Sequence, residues 1–140
     1  MLIDPMETKF SIENRIVELE KASAMLEESI HNFGLPPNLI PSMNLALEEA
    51  LTNIISYAYN DKLSHTIEIE LALRDGVFHM VIRDDGKAYD PTKNPEPDIT
   101  GSVTERPVGG LGIFLIRQLM DEVHYERCNS KNVLSMMKSV

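Results

Sequence analysis

A chain of 140 residues, 43% of them hydrophobic, is one domain by length and can bury a real core. Only 6% of residues are aromatic and there is no Trp, so aliphatic and Met side chains must fill that core. With 22 acidic against 13 basic residues the net charge is −9, which argues against a nucleic-acid or anionic-membrane surface, because phosphate binding draws on clustered Lys and Arg. Cys128 stands alone, and neither an 18-residue apolar run nor a signal-peptide core is seen, so the expected location is the cytoplasm.

In chain order, Thr8–Ile12 reads as a short first strand. Asn14 is placed to cap a helix running to about Phe33, with Ile16, Leu19, Leu26 and Ile30 at helical spacing. Gly34 suits the position after that helix, and Pro36-Pro37 stop and restart the chain. A second helix carries Leu39, Met43, Leu47, Leu51, Ile54 and Ala58 on its apolar side, with Pro41 in or just before its first turn. Thr66–Arg74 alternates, with Ile67, Ile69, Leu71 and Leu73 opposite Glu68 and Glu70; Asp75-Gly76 is a hairpin turn and Val77–Arg83 the returning strand. The stretch 90–108 is rich in Pro, Thr, Gly and charge, and so reads as a mobile lid. A helix to about Met120 follows, then Glu122–Cys128 and Asn132–Lys138 as a last hairpin. This order implies helices packed on one face of a largely antiparallel or mixed sheet.

Three places carry chemistry. Glu49 precedes Asn53 by one helical turn, so a carboxylate and a carboxamide project side by side. The carboxamide oxygen is a hard ligand suited to Mg²⁺, and the carboxylate can take a proton from a hydroxyl. Taken alone, the pair also fits a solvated helix face. Glu48 points about a quarter-turn away and reads as an ordinary solvated residue. Asp84 ends an apolar strand in Asp84-Asp85-Gly86, where an unpaired carboxylate is costly, although Asp-Asp-Gly is also good turn chemistry. Gly110-Leu111-Gly112 offers backbone N–H groups at a helix start, a place for phosphate or simply a hinge into a core helix. It is neither a Gly-Lys-Ser/Thr phosphate loop nor a dinucleotide fingerprint. His31, His65, His79 and His124 show no metal-ligand spacing and read as ordinary surface or strand residues, and Tyr57 and Tyr59 as packing residues.

The three segments in this order resemble the ATP-binding boxes of the superfamily of gyrase, histidine kinases and mismatch-repair ATPases, and most closely those of the anti-sigma-factor serine/threonine kinases. The matching residues are Glu49-Ala50-Leu51-Thr52-Asn53, Asp84-Asp85-Gly86 with Asp90-Pro91, Gly110-Leu111-Gly112, and the following Met120-Asp121-Glu122-Val123. The resemblance implies an α+β fold, a two-layer α/β sandwich with helices on one face of a mixed, largely antiparallel sheet and a mobile ATP lid. It also implies ATP and Mg²⁺ as cofactors. Glu49 would be the general base, and Asn53 the Mg²⁺ ligand. Asp84 would accept from the adenine amine, Gly86 let the backbone pass close to the base, and Gly110, Leu111 and Gly112 hold the phosphates. Thr104 and Arg106 in the lid are candidates for the γ-phosphate, beside the reading of Arg106 as a mobile exposed residue, and Val108-Gly109 stand where some members carry a basic residue.

The activity implied is phosphorylation of an anti-anti-sigma domain by a kinase that also sequesters a sigma factor, in a group that commonly dimerises. Two other readings stand beside it. A nucleotide-responsive module would sequester its partner without phosphoryl transfer. A detached histidine-kinase ATPase domain is disfavoured, because Lys87-Ala88-Tyr89 replaces the further glycine usual there and no phospho-acceptor hairpin is seen.

Overall fold

The computed structural model describes residues 6–93 and 110–140. Five strands, β1 (Met6–Glu13), β2 (Thr66–Arg74), β3 (Val77–Asp84), β4 (Glu122–Cys128) and β5 (Lys131–Ser139), form one sheet in the order β1-β2-β3-β5-β4. Three helices accompany it: α1 (Leu19–Asn32), α2 (Ile40–Tyr57) and α3 (Gly110–Leu119). This is the expected α+β sandwich, and every strand pairing among the described residues is antiparallel.

Turn chemistry sets the register. Asp75 and Gly76 both have positive φ (50° and 76°), as do Asn129 and Ser130 (53° and 62°), the left-handed pair a two-residue hairpin requires. Gly34 ends α1 at φ 71°, with the Leu35 N–H returning to the Ile30 carbonyl at 3.0 Å.

The start of α1 differs from expectation. Asn14 caps no helix; its Oδ1 accepts from the His65 backbone N–H at 2.8 Å, and its own N–H donates to the His65 carbonyl at 3.0 Å. A short 3₁₀ turn, Ile16–Glu18, leads into the helix instead, and the Glu18 carboxylate reaches back to the Glu13 N–H at 3.0 Å. Asn14 thus ties the end of β1 to the residue just before β2 in place of a local cap.

The core lies between sheet and helices. Leu26 and Ile30 of α1, Met43, Leu47 and Leu51 of α2, and Ile113 and Ile116 of α3 pack with Ile69, Leu71, Phe78, Met80 and Ile82. Each such side chain contributes about 1.5–3 kcal/mol by leaving water. On the sheet's other face Glu70 is buried rather than solvated, with Lys9, Arg74 and Arg83 at 3.5–3.7 Å. Among the described residues no helix is long and apolar enough to cross a membrane.

Candidate functional site

α2 turns two faces to two neighbours. Glu48 meets α1, where it accepts from the Ser23 hydroxyl at 3.3 Å, so it is partnered rather than simply solvated. Glu49, about 100° further round, meets α3 at Gly112. A Cβ built on Gly112 would lie 3.0 Å from Glu49 Oε2, 3.3 Å from Asn53 Nδ2 and 3.7 Å from Asn53 Oδ1. The glycine opening of α3 therefore sits directly on the carboxylate–carboxamide pair. Ala46 and Ala50 are both buried, and Ala50 lines a cavity together with Ile116 of α3. Gly110 starts α3, so its backbone lies in the same turn as Gly112.

The second cluster lies at the end of β3. Asp84 is 3% exposed, and its Oδ1 accepts both the Gly86 N–H (2.9 Å) and the Asn132 Nδ2 (2.9 Å). Burial pushes the Asp84 carboxyl above its ordinary range, against the lowering effect of those two donors. Asn132, 5% exposed, stands directly across from Asp84 in the β3–β5 register. It also donates to the Lys87 carbonyl at 2.9 Å and accepts from the Tyr125 hydroxyl and, at 3.4 Å, the Tyr89 N–H. Arg127, opposite Asn132 on β4, donates to the Gly86 carbonyl at 2.8 Å.

Between the clusters is a cavity of about 30 Å³, walled by Ala50, Asn53, Ile54, Asp84, Tyr89 and Ile116 among others. Its lining is apolar apart from a few polar groups, with Asp84 and Asn53 at its borders. It has room for a water or two rather than a ring. Tyr89 and Pro91, from the chain leaving β3, form one wall.

Other site residues have close neighbours within the chain. At Gly86 the backbone passes close to α2: a Cβ there would fall 2.5 Å from both Cβ and O of Ala58, at the helix end. Asp90 accepts from the N–H and hydroxyl of Thr92 in its own turn, and the Thr92 carbonyl takes the Arg117 guanidinium. Tyr57 packs near Tyr89. His65 is not a plain surface residue: it stacks on Tyr59 at 4.2 Å and meets Asp61 at 2.7 Å, while Tyr59 donates to Asp85. Most of the lid, with Thr104, Arg106, Val108 and Gly109, lies outside the described residues, as does the side chain of Leu111. Nothing local in the sequence marks Tyr125 or Arg127, and little marks Asn132. The one signal was alternation in β5, which puts polar Asn132 on the same face as Leu134 and Met136.

The residues present fit a nucleotide with Mg²⁺. An acceptor carboxylate at the edge of an apolar cavity suits an aromatic ring bearing an amine. A carboxamide oxygen beneath a helix start without side chain suits a cation and phosphates.

The family model described as a histidine kinase-like ATPase domain matches residues 12–138. The chain belongs to that family. The serine/threonine-protein kinase BtrW of Bordetella bronchiseptica is 34% identical over 97 residues, covering 68% of this chain and 67% of that one. The serine-protein kinase RsbW of Oceanobacillus iheyensis is 34% identical over 113 residues, covering 76% and 69%. With these relatives, the chain stands in the anti-sigma-factor serine/threonine kinase group. In fold it resembles the solved RsbU and RsbW domains of a Mycobacterium tuberculosis protein, with a TM-score of 0.69 at 16% identity over 95% of this chain. It spans about a third (32%) of that solved chain.

Proposed function

We propose that the chain is an ATP-dependent serine/threonine protein kinase that phosphorylates an anti-anti-sigma domain and, by the same surface, holds a sigma factor in the cytoplasm. The observation that carries the reading is the seating of Gly112 on Glu49 and Asn53, which brings a proton acceptor and a hard oxygen ligand together under a helix start. BtrW and RsbW are named as serine/threonine- and serine-protein kinases, which supports the reaction class.

In this reading Asp84 accepts from the adenine amine, and base entry needs the Tyr89–Pro91 wall to move outward. Asn53 Oδ1 would hold Mg²⁺, and the ion, when bound, would neutralise phosphate charge. Backbone N–H groups of Gly110, Leu111 and Gly112 at the start of α3 favour the phosphates by hydrogen bonding and helix dipole. Glu49 accepts the proton of the partner's serine or threonine hydroxyl while that oxygen bonds to the γ-phosphorus. The bond from γ-phosphorus to the β-phosphate bridging oxygen breaks, and ADP leaves. A net charge of −9 makes these backbone donors and Mg²⁺, rather than a basic surface, the means of holding a polyanion.

Labelled ATP with Mg²⁺ and anti-anti-sigma domains from the same organism tests this. Acid-stable phosphoserine or phosphothreonine on one such domain is the expected product. Acid-labile label on a histidine, or retention of the partner with no transfer by any of them, overturns it in favour of the histidine-kinase or the sequestering reading.

A further inference from the structure

We propose that Asn132 is the positioning residue that sets nucleobase specificity, by holding Asp84 so that one free carboxylate oxygen faces the base. The inference rests on the reading of the cavity as the base pocket and goes beyond it in naming what fixes the selectivity.

Asn132 makes the four hydrogen bonds described above, so both ends of its amide are used. Turning the amide over would set its oxygen against Asp84 and the Lys87 carbonyl, and its NH₂ against the Tyr89 N–H. Two acceptor clashes and a donor clash hold it in one orientation. Asp84 is held in turn: Oδ1 takes both Asn132 and the Gly86 N–H, leaving Oδ2 without a partner among the described residues. The carboxylate cannot rotate without losing two hydrogen bonds in a buried place, where each is costly to leave unmade.

A base edge meeting Oδ2 must therefore offer a donor. A 6-amino purine does. A 6-oxo purine would place a carbonyl oxygen against a carboxylate that cannot turn aside, so rejection depends on Asp84 being immobile. Without Asn132 the carboxylate can swing away or protonate, and the penalty on the 6-oxo purine falls. The bond from the Tyr89 N–H, the longest of the four at 3.4 Å, is the one most easily released when the Tyr89–Pro91 wall opens; the hold on Asp84 does not depend on it.

The experiment is the affinity of wild type, Asn132→Leu and Asn132→Thr for ATP and for inosine triphosphate, both with Mg²⁺. Asn132→Leu is expected to weaken ATP by about 10- to 100-fold, the scale of a hydrogen bond to a charged group. It should leave inosine triphosphate bound as well as before or better, so the selectivity ratio collapses. Asn132→Thr keeps a donor at the position and should restore part of the ratio. A merely structural role would weaken both nucleotides equally, and an unchanged ratio overturns the proposal. If Asn132→Leu fails to fold, Tyr125→Phe decides: it removes one bond fixing the amide, and should reduce the ratio severalfold. A ratio untouched by Tyr125→Phe in that case also overturns it. A wild type that binds ATP while the variants keep its selectivity sinks this inference alone; one that binds neither nucleotide sinks the functional reading with it.

Discussion

The two ends of the candidate site are built on opposite plans. At the base end Asp84 and Asn132 are nearly fully buried, and Asn132 has every hydrogen-bonding group engaged. At the proposed phosphate end Asn53 is buried too, at 6% exposure, but Glu49 is half-buried, and Gly112 withholds a side chain that would lie 3.0 Å from Glu49 Oε2. A group that recognises a base must be oriented before the ligand comes. In the proposed reading, the carboxylate that serves an attacking hydroxyl must stay within its reach. The fold fixes one end through the sheet and builds the other where two helices meet with no side chain on Gly112 between them.

The largest expected effect is on proton acceptance. Glu49→Gln keeps shape and hydrogen bonding but cannot take the hydroxyl proton. Phosphorylation of the partner should fall by about 10²–10⁴-fold in single-turnover assays, with ATP affinity little changed. Glu48→Gln should leave both nearly intact, since Glu48 faces Ser23. Equal transfer by Glu49→Gln and wild type would place the base elsewhere.

The two glycines should then part company. Gly112→Ala gains helix propensity, so its melting temperature should hold or rise. Its methyl presses on Glu49 and Asn53, and transfer should drop by roughly 10- to 100-fold through misplacement of the base. Gly86→Ala meets the backbone and Cβ of Ala58 at 2.5 Å, neither of which can easily give. It should lose about 1–3 kcal/mol of stability in denaturant titration. If Gly86→Ala proves as stable as wild type, or Gly112→Ala unfolds, the division between the two ends is wrong.

A smaller effect concerns pH at the base end. Burial raises the Asp84 carboxyl above its ordinary 3.8, so the protonated form is favoured by the folded protein without ligand. This group's contribution to stability is present at low pH and lost as pH rises through the raised value. A base amine favours the ionised form, so ATP affinity should climb over that same rise and then level. Asp84→Asn, whose oxygen still accepts from Asn132 and Gly86, should lack this component while phosphate titration persists. It should also melt slightly higher than wild type at neutral pH. Calorimetry across pH 4–7.5 and thermal melts check both; a climb identical in Asp84→Asn would assign it to another group.

Local chemistry made much of this legible in the sequence. Asp75-Gly76 announced a hairpin because adjacent left-handed residues tolerate little else, and β2 runs from Thr66 to Arg74 as its alternation required. Helical spacing also separated Glu49 from Glu48, because 100° per residue sends them to different neighbours. What stayed hidden depends on distant partners. Asn14 lost its cap to His65, 51 residues away, and Gly86 owes its lack of a side chain to Ala58. Asn132 sits 48 residues from Asp84, and only the β3–β5 register brings them together. Alternation puts Glu70 on the face opposite the core, but only the neighbouring strands bring Lys9, Arg74 and Arg83 around it.

The most direct test of the whole account is a calorimetric titration of the folded protein with ATP, with and without Mg²⁺, beside Asn53→Ala. The expected result is saturable binding at one site, stronger with Mg²⁺, with Asn53→Ala losing that Mg²⁺-dependent gain. Absence of any binding by well-folded wild-type protein would contradict the account, and a Mg²⁺ effect that survives in Asn53→Ala would contradict its assignment of the cation.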